Sequence, residues 1–131
     1  MSGAEVTLLI LEDEPFIMLD LEMAAEDSGC TVLSSANCSS ALSQVESNKV
    51  DIAVLDVSLA AGETCLPVAH ELAHRGIPFL LHTGDLVGDD GKVRGIDAPV
   101  VVKPTVSNEV IDTALALLEN GSRADRSYAA E

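Results

Sequence analysis

Residues 8–14, Leu-Leu-Ile-Leu-Glu-Asp-Glu, carry an apolar run straight into three consecutive acids. A short apolar run without alternation is the pattern of a strand covered on both faces, and such strands belong to parallel sheets flanked by helices. Working outward, Val6 to Leu11, Thr31 to Ser35, Ile52 to Asp56, Phe79 to Thr83 and Val100 to Lys103 all read as strands. Segments of helical period separate them. Pro15 suits the first position of a helix, Ile17, Leu21, Ala24 and Ser28 share one face, and Gly29 stops it. Cys38, Ala41, Leu42 and Val45 repeat that spacing, as do Ala69, Leu72 and Ala73 after Pro67, with Gly76 as the stop. Ile111, Ala114, Leu115 and Leu118 mark a last helix, with Ser107 as its cap, Glu109 near its positive end and Gly121 closing it. This alternation predicts an α/β fold, a doubly wound five-stranded parallel sheet.

One connection breaks the rhythm. Between Thr83 and Val100 stand Gly84, Gly88, Gly91 and Gly95 with Asp89 and Asp90, and no apolar stripe. Each glycine inside a helix costs roughly 1 kcal/mol against alanine, so the fourth helix is expected to be short or irregular. A solvated loop is the default reading there, and a segment that orders on activation is the functional alternative.

Composition narrows the function classes. The 131 residues fit one domain, expected over 1–121 with 122–131 as a disordered tail. With 22 acidic residues against 7 basic ones, the net charge of -15 repels phosphate backbones and anionic lipid, so neither nucleic acid nor membrane is expected as a partner. No apolar run approaches the roughly 18 to 20 residues that span a bilayer. The N-terminal MSGAEVT lacks a basic signal region, and Cys30, Cys38 and Cys65 lack metal or redox spacing. The expectation is a cytoplasmic protein with free, mostly buried thiols.

In doubly wound sheets ligands bind beyond the carboxyl ends of the strands. Those ends carry Glu12, Asp13 and Glu14 after the first strand, Asp56 on the third, Thr83 on the fourth, and Lys103 with Pro104 on the fifth. Carboxylates crowded together raise one another's pKa unless a cation sits among them, and hard oxygen donors suit Mg²⁺. A carboxylate so placed, beside a lysine and a hydroxyl, can take a phosphoryl group: Asp56 attacks while Lys103 neutralises the phosphoryl oxygens.

Glu12-Asp13, Asp56, Thr83 and Lys103-Pro104, in this order and at strand ends, resemble the receiver domain of bacterial two-component response regulators, a flavodoxin-like fold. The likeness runs from residue 5 to about 120 and is nearest to stand-alone alphaproteobacterial receivers, through DVSLAAGE and RGIPFLLHTG. It implies Asp56 as phosphoacceptor, Asp13 as a direct magnesium ligand, Glu12 acting through a coordinated water, and the Ser58 backbone carbonyl as a further ligand. Thr83 would be the switch hydroxyl, Lys103 the cation paired with the phosphoryl group, and Pro104 would follow a cis peptide. The donor would be a histidine kinase or histidine phosphotransfer protein. The receiver would catalyse its own phosphorylation and dephosphorylation, without being a dedicated enzyme.

Three positions depart from the family. Val100 stands where an aromatic switch residue is usual, three before the lysine; Ala60 stands where many relatives have proline; and the fourth-helix region is glycine-rich. Ser58 and Asp85 are read as lining the mouth of the pocket, where such positions tune access of water. His70 and His74, four apart, lack an evident third metal ligand and read as a solvated or half-buried pair, and His82 reads as a satisfied core residue.

With no room for an output domain, the expected action is altered contact with an unknown downstream protein, the receiver itself being a monomer or weak dimer. Two alternatives stay open: a phosphate sink or shuttle, and a degenerate receiver that binds without phosphorylation. A haloacid-dehalogenase-like phosphatase would need an acid where Ser58 stands. A flavodoxin-like cofactor binder would need a phosphate loop where Glu12, Asp13 and Glu14 repel anions.

Overall fold

The computed structural model describes residues 5–84 and 96–130, with side chains as far as Glu119. Five strands, β1 (Thr7–Leu11), β2 (Thr31–Ser35), β3 (Ile52–Leu55), β4 (Phe79–Thr83) and β5 (Val100–Val102), form one parallel sheet in the order β2-β1-β3-β4-β5. Among the described residues four α-helices accompany it: α1 (Pro15–Asp27), α2 (Cys38–Ser47), α3 (Leu66–His74) and α4 (Ser107–Ala130). The order of connection reverses between β1 and β3, which opens a crevice at their carboxyl ends.

Alternation along the strands divides the core. Leu9, Leu11, Ala53, Leu55, Phe79 and Leu81 point to one face and pack with Ala41 and Val45 of α2 and Val68, Ala69 and Leu72 of α3. Leu8, Ile10, Ile52, Val54 and Leu80 point to the other, against Leu21, Ala24 and Ala25 of α1 and Val110, Ile111 and Ala114 of α4. Burial of each large aliphatic side chain stabilises by about 1.5–3 kcal/mol, and a sheet loaded on both faces explains why its strands do not alternate. No helix among the described residues is long and apolar enough to cross a membrane.

The helix signals mostly act as read. Pro15 opens α1, and Gly29 and Gly76 adopt φ of 87° and 73° just beyond α1 and α3, where a side chain would be strained. Two readings differ. Ser107 is the first residue of α4, whose opening hydrogen bonds go to the Val106 carbonyl, so the cap lies one position earlier. Gly121 does not close α4, which continues to Ala130: an interior glycine costs only about 1 kcal/mol, and alanine and arginine follow it. The short or irregular fourth helix, and Asp85 with it, fall outside the described residues.

Candidate functional site

β1 and β3 run side by side with Leu11 opposite Leu55, so the residues that follow, Glu12 and Asp56, emerge together. The Asp56 amide donates to the Leu11 carbonyl at 2.8 Å and holds them there. Glu12 is 1% exposed and Asp56 5%, while Asp13 is half-buried. One carboxylate oxygen of each of the three lies within 4.8 Å of those of the other two.

Lys103 closes the group from the far side. Its amide donates to the Thr83 carbonyl at 2.8 Å, and the Lys103-Pro104 peptide is cis, matching the expectation for this position. The ammonium stands 3.0 Å from Glu12 Oε1 and 3.3 Å from Asp56 Oδ2. It is the partner of Glu12 Oε1, a buried oxygen with no other among the described residues. Thr83 ends β4, buried at 1% exposure. Burial pushes the Asp56 carboxyl up to about 7, with Glu12 adding repulsion and Lys103 opposing both. Burial alone would lower the Lys103 ammonium, but hydrogen bonding and attraction from Glu12 and Asp56 outweigh it and hold it above its usual value.

Among the described residues, three clustered carboxylates, two of them paired with one ammonium, leave an excess of negative charge at the rim. Oxygen donors of this kind fit a hard divalent cation such as Mg²⁺ and would suit a soft metal poorly. Ser58 lies at an exposed position beyond Asp56, bridged antiparallel to Thr64 on either side of a 3₁₀ turn, Ala60–Gly62. Within that turn Ala61 takes φ 62°, a left-handed conformation that alanine adopts at a cost.

Two residues stand differently from their sequence reading. Glu14 does not join the acid cluster; its carboxylate turns to the start of α1 and accepts from the Phe16 and Ile17 amides at 3.1 and 3.2 Å, an N-cap made by a longer side chain than usual. His82 is buried, 3% exposed, but is not satisfied: neither ring nitrogen has a hydrogen-bond partner among the described residues. A buried polar atom left unpaired costs about 1–3 kcal/mol. Burial first, then the charge of Lys103, pulls its pKa down to about 4, so the ring is neutral. Its place beside the site was readable from parity, since it follows Leu80 on the α1/α4 face and directly precedes Thr83.

The fold and rim together define a doubly wound α/β protein with an acid cluster bridged by lysine at its switch point. No family model matches the chain. Among solved structures, SdrG from Sphingomonas melonis Fr1 is 40% identical over 90% of this chain and 98% of its own, with TM-score 0.70. A response regulator receiver protein from Sinorhizobium medicae WSM419 has TM-score 0.80 over 92% of this chain and 99% of its own at 22% identity, a likeness of fold. The probable transcriptional regulatory protein TcrX of Mycobacterium tuberculosis is 32% identical over 121 residues, 88% of this chain; the chain spans about half the length of that relative, 51%. The chain belongs to the response regulator receiver family of two-component signalling.

Proposed function

We propose that this receiver accepts a phosphoryl group on Asp56 from a phosphohistidine of a kinase or phosphotransfer protein, in a magnesium-dependent reaction, and signals by altered contact with a downstream protein. The observation that carries the reading is the bridging of Glu12 and Asp56 by one ammonium inside a three-carboxylate cleft. Glu12, Asp13, Asp56 and the Ser58 carbonyl would hold Mg²⁺. When bound, that ion neutralises the carboxylates and the phosphoryl oxygens.

An Asp56 oxygen, ionised, attacks phosphorus; the oxygen–phosphorus bond forms as the bond from phosphorus to the donor nitrogen breaks, and the electron pair leaves with the imidazole. Lys103 follows the charge from the carboxylate to a phosphoryl oxygen, and the Thr83 hydroxyl donates to another. The BeF3-activated form of SdrG, 39% identical over 98% of that chain, supports using the same fluoride as a phosphoryl mimic here.

Intact mass after incubation with acetyl phosphate and Mg²⁺ tests the proposal. A single phosphoryl adduct, absent with EDTA and absent in Asp56→Asn, is expected; a folded protein that takes none overturns it. One observation favours a second reading, a receiver that binds its partner unphosphorylated. Val100, in place of the family's aromatic, packs into the α2/α3 side of the core, so no inward-swinging ring couples the site to the surface from this position. Under that reading the mass does not change and partner binding is the same with and without Asp56.

A further inference from the structure

The register brings one more side chain to the site. β3 and β4 pair Leu55 with Leu81, so the next residues along, Asp56 and His82, stand side by side. β4 and β5 pair His82 with Val101, two residues before Lys103 and on the same face by alternation. His82 is thus flanked by Asp56 on one neighbouring strand and by Lys103 diagonally across the other. Among the described residues both its nitrogens are unpaired at 3% exposure, an arrangement rare for a buried imidazole.

The partners it lacks are chemically at hand. An ammonium has three protons, and that of Lys103 stands 3.0 Å from Glu12 Oε1 and 3.3 Å from Asp56 Oδ2, two ion pairs that leave it a proton to give elsewhere. A neutral imidazole offers one acceptor and one donor, whereas a protonated ring would offer no acceptor and would repel Lys103. A leucine of similar volume would fill the same space without presenting either group.

We propose that His82 is a positioning residue of the phosphoryl-transfer site: its unprotonated nitrogen accepts the third proton of Lys103, and its N–H donates toward Asp56, as the pair re-forms around an incoming phosphoryl group. This rests on the reading of Asp56 as the phosphoacceptor. The ring touches neither the donor nor phosphorus and acts by holding the ammonium where charge develops.

The full chain carrying ¹⁵N-histidine, with Mg²⁺ and beryllofluoride as the probe, tests this directly. The unprotonated ring nitrogen of His82, assigned by its loss in His82→Gln, moves upfield as it accepts a hydrogen bond, while His70 and His74 stay where they are. In the companion rate measurement, His82→Leu lowers the maximal rate of phosphorylation by acetyl phosphate about tenfold at unchanged half-saturation, and His82→Gln, which keeps a donor and an acceptor, restores it to within about twofold. An unmoved nitrogen in a sample whose fluorine signal reports bound beryllofluoride overturns the inference, as does a His82→Leu protein as fast as the parent. Should His82→Leu not fold, the spectrum of the parent chain decides alone. A parent that takes no adduct on Asp56 removes the phosphoacceptor reading and this inference with it, whereas an adduct with a silent His82 removes only this one.

Discussion

The two halves of the sheet rim are built from opposite materials. The β1/β3 half presents Glu12, Asp13 and Asp56, all carboxylates brought together by strand register, Glu12 and Asp56 buried and Asp13 half-buried. The β4/β5 half presents His82, Thr83 and Lys103, an imidazole, a hydroxyl and an ammonium. The first half accumulates negative charge that it cannot relieve; the second supplies a cation and groups that donate or accept without charge of their own. The site is therefore a balance across the β3–β4 boundary, and a change on one side is felt as a charge error on the other.

The largest way to break this balance is Asp56→Asn, for which we expect complete loss of the phosphoryl adduct by intact mass. Lys103→Met comes next. It leaves Glu12 and Asp56 buried as uncompensated like charges, so phosphorylation by acetyl phosphate should slow by at least about 100-fold. In magnesium-free buffer the urea midpoint should drop by the equivalent of about 1–3 kcal/mol at unchanged slope.

A smaller effect lies in pH. Folding raises the Asp56 pKa from 3.8 to about 7, so between those values the folded chain holds more protons than the unfolded one. The Asp56 contribution in EDTA is thus full below about pH 4, falls as pH rises through the window and levels off above pH 7. Denaturation midpoints of the parent and Asp56→Asn should coincide near pH 4 and separate by pH 8, with the variant the more stable. Parallel curves would mean that the acid half relieves its own charge. The smallest effect is Ala61→Gly in the turn after Asp56, where a left-handed backbone favours glycine: a gain of about 0.5–1 kcal/mol in thermal or urea unfolding, with phosphorylation unchanged.

Much of this was legible in the chain because parallel strands advertise themselves. Apolar runs that end abruptly in polar residues give both the strand and the rim, and so predicted that Glu12, Asp13, Asp56 and Lys103 would meet. Glu14 was miscounted among the acids because sequence order cannot tell a side chain that faces the cleft from one that turns back to cap α1. His82 was taken for a satisfied core residue because partner availability depends on three strands at once, and no local pattern reports it. Gly121 misled because its modest helix penalty is readily outweighed by the residues around it.

The strand order carries a consequence for folding. Every pairing in the sheet joins strands through a crossover, and the residues of the rim arrive on four separate strands, β1, β3, β4 and β5. Such contacts are distant in sequence, and closing them is slow compared with forming any single helix. A chain in which β5 has not yet docked has its acids but no lysine to pair with them. Competence at the rim thus requires all four strands in register at once, and a molecule lacking any one of them lacks the site.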